Sequence, residues 1–167
     1  MRKLISVFLL VIVIAGSASA QQDSINLPLY KRFPTVAPYK LLKADSVSYF
    51  TKADLKKNRA VLLIIFSPDC EHCQHETEEI IKHMESFKKI QIVMATTWPL
   101  NKMRDFYARY DLKRFSNILM GQDVTFMLPT YYHISNMPFM AFYDKKGKLI
   151  DTAEGSLPVE KVLAKFQ

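Results

Sequence analysis

The sequence predicts an α/β fold, a mixed central sheet covered by helices, on three observations. Ala60-Val61-Leu62-Leu63-Ile64-Ile65-Phe66 is an unbroken apolar run rich in β-branched side chains, the pattern of a strand buried on both faces. After it, helix-like and strand-like periods alternate. The chain then closes on two strand-like runs, Phe139–Tyr143 and Lys148–Thr152, and a last helix opened by Pro158.

Taken in order, the elements begin with a leader. Arg2 and Lys3 precede an apolar run from Leu4 to Ala15 that only Ser6 interrupts, and Gly16-Ser17-Ala18-Ser19-Ala20 ends in an A-x-A cleavage pattern. Residues 1–20 therefore read as a signal peptide, the run being shorter than the ~18 residues of a membrane span. No cysteine follows it to accept a lipid. The expected mature chain starts at Gln21, has no stable membrane insertion after signal cleavage, and lies in the periplasm. Residues 21–38, with Pro28, Pro34 and Pro38, read as an extended segment, and 39–167 as the folded domain.

Tyr39–Leu42 and Val47–Phe50 suggest a hairpin, and Thr51 a cap for a short helix reaching Lys57. Ser67-Pro68-Asp69 breaks the buried strand, with Asp69 as a candidate helix cap. A helix to about Lys88 follows, with Cys73, Thr77, Ile80, Ile81, Met84 and Phe87 on its apolar side and His75, Glu79 and Lys82 opposite. Ile90–Ala95 is a strand, and Asn101–Leu112 a helix with Met103, Phe106, Tyr107 and Tyr110 inward. Ile118–Met120 reads as a minor strand and Thr125–Ile134 as helical. Asp144-Lys145-Lys146-Gly147 is a tight turn with Gly at the position needing positive φ.

Composition excludes several classes. The apolar fraction of 49% is that of a globular chain, not a disordered one. The formal charge of +7 comes from scattered lysine pairs with no long basic run, so no nucleic acid is expected as a partner. The two cysteines, Cys70 and Cys73, would close a loop too small to constrain the unfolded chain. That spacing suits redox chemistry or metal binding better than a structural staple.

Cys70 falls at or just before the start of a helix, where free N–H groups and the helix dipole favour a thiolate. Cys73 falls one turn on, over the buried stripe. Cys70 is therefore the expected nucleophile and Cys73 the resolving thiol, together the catalytic pair.

This arrangement resembles the thioredoxin superfamily, and within it the exported thiol–disulfide interchange proteins of the TlpA/ResA type, often called redoxins. The resemblance rests on Cys70-Glu71-His72-Cys73-Gln74-His75-Glu76 after a buried strand, on Phe33–Leu55 as an added N-terminal segment and hairpin, and on Met137-Pro138-Phe139 opening a late strand. It implies a three-layer thioredoxin-like sandwich, a cis Met137–Pro138 bond beside the cysteines, and substrate backbone pairing next to Met137 and Pro138. It also implies protein thiol–disulfide oxidoreductase activity without a cofactor, with cysteine-containing exported proteins and an upstream redox partner.

Three positions depart from the family pattern. The Trp usually found before the first cysteine is replaced by Phe66 and Asp69, and the buried acid of thioredoxin corresponds to Ile64. Glu76 or water is left to move the Cys73 proton. His72 resembles the oxidising members and should stabilise the reduced form, while the charge of Glu71 opposes it, so the direction of electron flow stays open. His72, Glu71 and Glu76 are thus the residues expected to tune cysteine acidity, though each also reads as a surface residue.

The rival class is a copper metallochaperone using Cys70, Cys73 and a histidine such as His72, His75 or His133. A structural zinc site lacks a second ligand pair. Haem attachment would need His where Gln74 stands. A thiol peroxidase or a binding module with an idle motif are further alternatives.

Overall fold

The apolar run forms β3 (Ala60–Ile65), with all six residues buried, and the rest of the sheet is built around it in a computed structural model that describes residues 27–167. On one side β3 pairs in parallel with β4 (Ile90–Thr96), and on the other antiparallel with β6 (Phe139–Tyr143). β5 (Ile118–Gln122) runs parallel to β4, and the hairpin β1 (Lys40–Leu42) and β2 (Tyr49–Thr51) continues the sheet beyond it. β7 (Leu149–Glu154) closes the opposite edge, giving the order β2-β1-β5-β4-β3-β6-β7.

Side-chain alternation divides the core between two layers. Leu62, Ile64, Ile92, Met94, Met140 and Phe142 face a layer made by α1 (Glu71–Lys82), α2 (Met84–Phe87), α3 (Leu100–Arg109) and α5 (Val159–Ala164). On the other face α4 (Met127–Tyr132) brings Tyr132 against Phe139, with ring centroids 4.9 Å apart, and into a hydroxyl–hydroxyl hydrogen bond with Tyr143. The α/β three-layer expectation holds.

Local departures have local causes. The helix expected to reach Lys88 breaks at His83, which leaves helical geometry at φ −106° and ψ 22° and puts its Nδ1 2.9 Å from the Glu79 carbonyl. The chain restarts as α2, which turns both Met84 and Phe87 into the core. Thr51 does cap its segment, in a reciprocal box with Asp54, but only a 3-10 turn over Lys52–Asp54 forms, because Leu55 is already extended. β5 is no minor strand: it lies between β1 and β4. Its Gly121 passes so close to the hairpin that a Cβ there would sit 2.7 Å from Leu41 Cβ. Asp123, buried with 2% exposure, ends β5 and starts α4: its Oδ2 accepts from the Leu128 N–H at 2.7 Å and its Oδ1 from the Thr125 hydroxyl.

Two units are distinguished along the chain. One extends to Phe33 and, among its described residues, contains a helical turn at Leu29–Arg32, within the segment expected to be extended. The other is Pro34–Gln167. Its first residues are sewn to the β6–β7 turn: Pro34 O accepts from Leu149 N–H at 2.8 Å, and Val36 N–H donates to Gly147 O at 3.1 Å. The leader reading for residues 1–20 lies outside the described residues. Among those described, no helix is long and apolar enough to cross a membrane.

Candidate active site

The C-terminal end of β3 delivers the chain into the turn that carries both cysteines. Phe66 N–H still bonds to β4 through Ala95 O, and Cys70 N–H then closes the Ser67-Pro68-Asp69 turn onto Ser67 O at 3.2 Å. Gln74 braces this turn, its Nε2 donating to Pro68 O at 2.8 Å. Cys70 is the N-cap of α1: its backbone is extended, its carbonyl accepts the first helical bond from Gln74 N–H, and the free N–H groups of the first turn open beside it. Asp69 does not cap the helix as expected. It is exposed and pairs with Lys102 at 3.2 Å, a surface bridge that contributes about 0–1 kcal/mol.

Both cysteines are free thiols; Cys70 is half-buried and Cys73 is 1% exposed. The Met137–Pro138 bond is cis, and its loop faces Cys70, whose Sγ lies 3.9 Å from Met137 O. Pro138 is buried and Met137 half-buried. Burial pushes the Cys73 thiol up to about 12. A Ser67 backbone hydrogen bond opposes this, and the neighbouring Cys70 and Glu76 reinforce it. At neutral pH Cys73 is therefore a protonated thiol.

Glu76 supplies a carboxylate at that place. It is not the surface acid that its type suggests, being 2% exposed on the buried side of α1 with Cys73, Thr77 and Ile80. Burial raises its carboxyl above the ordinary value, against the pull of the Leu157 N–H, which donates to Oε2 at 2.9 Å. Among the described residues Oε1 has no hydrogen-bond partner. Glu76 also lines a cavity of about 330 Å³ bordered by His75, Glu79, Ser156 and Glu160. An acid with a raised pKa, one oxygen unbonded and a cavity lined by polar side chains beside it is suited to taking and returning a proton.

One feature went unread in the sequence. Three consecutive residues after β7 each hold a different part of the site. Gly155, at φ 80°, donates its N–H to Pro138 O at 2.8 Å; Ser156 Oγ donates to His72 O at 3.0 Å; and Leu157 N–H holds Glu76. The cis-proline loop, the cysteine turn and the buried acid are thereby held by one tripeptide. Gly155, where the chain needs a positive φ, was its only local signal.

The other expected residues separate. Glu71 and His72 are both exposed at the start of α1, beside Cys70 in the chain, and His75 and His133 are exposed elsewhere. Among the described residues no three His, Cys, Asp or Glu side chains converge to hold a metal, so the histidine that the copper alternative needs is not brought to the two thiols.

Comparison with known proteins agrees with this geometry. A family model described as Thioredoxin-like domain matches residues 50–167, more than half of the chain. A secreted disulfide oxidoreductase of Mycobacterium tuberculosis, homologous to DsbE of E. coli, is 16% identical with a TM-score of 0.64, the match covering 77% of this chain and 93% of that one. StoA of Bacillus subtilis is 16% identical, with a TM-score of 0.57 and coverage of 77% and 97%. The exposed lipoprotein thioredoxin Etrx1 of Streptococcus pneumoniae is 24% identical, with a TM-score of 0.56 and coverage of 78% and 100%. No curated protein matches by sequence. With the buried strand, the cysteine-led helix and the cis-proline loop all in place, the chain belongs to the thioredoxin-like domain family.

Proposed function

We propose that the chain is an exported protein thiol–disulfide oxidoreductase that exchanges a Cys70–Cys73 dithiol and disulfide with cysteine-containing proteins. The observation that carries this is the asymmetry of the pair: Cys70 half-exposed at a helix N-terminus facing Met137 O, and Cys73 sealed beneath it beside Glu76.

In the reducing direction, the Cys70 thiolate attacks one sulfur of a substrate disulfide. The substrate S–S bond breaks, a mixed disulfide forms, and the departing substrate thiolate takes up a proton. Glu76 then accepts the Cys73 proton, and the Cys73 sulfur attacks Cys70 Sγ. That step forms the Cys70–Cys73 disulfide, releases the second substrate thiolate, and completes transfer of two electrons. Oxidation of a substrate dithiol is the same sequence reversed. Extended substrate backbone is expected to lie along Met137 and Pro138. Disulfide oxidoreductase activity and secretion are stated for the M. tuberculosis relative, which supports the same reading here.

Turnover of insulin disulfides tests the proposal. Cys70→Ser should abolish it, and Cys73→Ser should stop at a mixed disulfide visible on non-reducing gels. Unchanged turnover in Cys70→Ser would remove this reading.

A further inference from the structure

The pole opposite Cys70 is built differently from the rest of the surface. A cavity of about 410 Å³ opens there beneath Lys52, Lys56, Lys57, Arg59, Lys145 and Lys146, with Val36, Leu55 and Val61 lining its apolar floor. Among the described residues none of these six cations makes an ion pair; the paired ones are Lys82, Lys88, Lys102, Arg114 and Lys165. Neither of the two carboxylates adjoining in sequence forms an ion pair with these cations, although the charge of Asp144 lies near Lys146. Asp54 accepts from the Thr51 N–H and hydroxyl, and Asp144 from the N–H groups of Lys146 and Lys148. Arg59 is held by its Nη1 bond to Lys88 O at 3.2 Å.

We propose that this pole docks on an anionic phospholipid surface and so turns Cys70 away from the membrane. The inference is independent of the thiol chemistry and stands if that reading fails.

Two observations select this partner. The cations ring an apolar floor, so their aliphatic stems can rest on it while the ammonium groups meet headgroup phosphates. The cavity borders the N-terminal end of β3 at Arg59 and Val61, whereas Cys70 follows its C-terminal end. The strand's length, about 20 Å at ~3.3 Å per residue, lies between them, so a flat surface docked here leaves Cys70 at the far end of the strand.

The test is hydrogen exchange of the expected mature chain, from Gln21, with vesicles of phosphatidylglycerol mixed into phosphatidylcholine, and with phosphatidylcholine alone, at physiological ionic strength. Anionic vesicles should protect residues 52–59 and 144–147, and neutral vesicles should not. Each basic residue near an anionic surface contributes roughly a fivefold gain in binding. Lys56→Glu, Lys57→Glu, Lys145→Glu and Lys146→Glu together should therefore weaken that protection at least tenfold. The charge-matched control Lys43→Glu, Lys82→Glu, Lys113→Glu and Lys161→Glu should leave it in place. Exchange in β3 and β4 reports that each variant is folded, and Lys→Gln at the four pole positions serves if the reversal is not. Alkylation of Cys70 by a bulky maleimide should proceed as fast on vesicles as without them. Equal loss in the control set, pole protection on neutral vesicles, protection confined to other elements, or slowed Cys70 alkylation would each overturn the proposal. Binding to soluble acidic proteins with no vesicle response would do the same.

Discussion

Glu76→Gln should separate the two chemical steps. The variant keeps an oxygen for the Leu157 N–H and loses only the ability to take a proton. With Cys73 held up at about 12, roughly one molecule in 10⁵ carries its thiolate at pH 7 without help. General-base assistance is worth about 10²–10⁴ in rate. Against a chromogenic aromatic disulfide, each protein releases one equivalent of coloured thiolate when Cys70 attacks and a second when Cys73 resolves the adduct. Stopped-flow absorbance should show the first phase within about twofold of wild type and the second slower by about a hundredfold or more. In the variant the second phase should rise about tenfold per pH unit toward the Cys73 value of about 12, because only free thiolate attacks. In wild type it should level off once Glu76 has ionised. A second phase unchanged in both rate and pH dependence would refute Glu76 as the proton acceptor.

Other expectations follow from the same groups. Because burial raises the Glu76 carboxyl in the folded state, the stability it adds is fully present below its unfolded value and lost as pH rises through the folded one. Urea unfolding should accordingly show a downward slope from acid toward neutral pH that Glu76→Gln flattens. From their places next to Cys70 in the chain, His72→Ala should move the reduction potential negative by up to about 30 mV and Glu71→Ala positive by less; glutathione equilibration reads both. Gly121→Ala should destabilise the protein by about 1–3 kcal/mol in chemical unfolding, because the added Cβ meets Leu41 and Phe50 at 2.7 and 2.8 Å.

What could be read in advance follows from how local the cause is. β3 declares itself because a strand buried on both faces needs an unbroken apolar run, and Cys70 is placed by the strand-to-helix break beside it. The cis bond at Pro138 came from family resemblance, since no local pattern distinguishes it. Glu76 shows the limit: it shares the helical stripe of Cys73 and Ile80, three and four residues away, yet an acid inside a stripe reads as surface until its partner is known. That partner, Leu157 N–H, lies 81 residues along the chain. The hold of Gly155, Ser156 and Leu157 on three site elements, and the interior position of β5 between β1 and β4, are likewise made by tertiary contacts that leave little trace in the residues themselves. The break at His83 was missed because Met84 and Phe87 keep helical spacing with α1 although the helix has stopped.

The most direct measurement for the whole account is equilibration of the protein in dithiol–disulfide buffers of stepped potential, with intact mass and peptide mapping at each step. The account predicts one two-electron transition, a loss of two hydrogen masses, and a single Cys70–Cys73 link. Cysteines that stay reduced across the range, or that take up separate buffer thiols without joining each other, would contradict it.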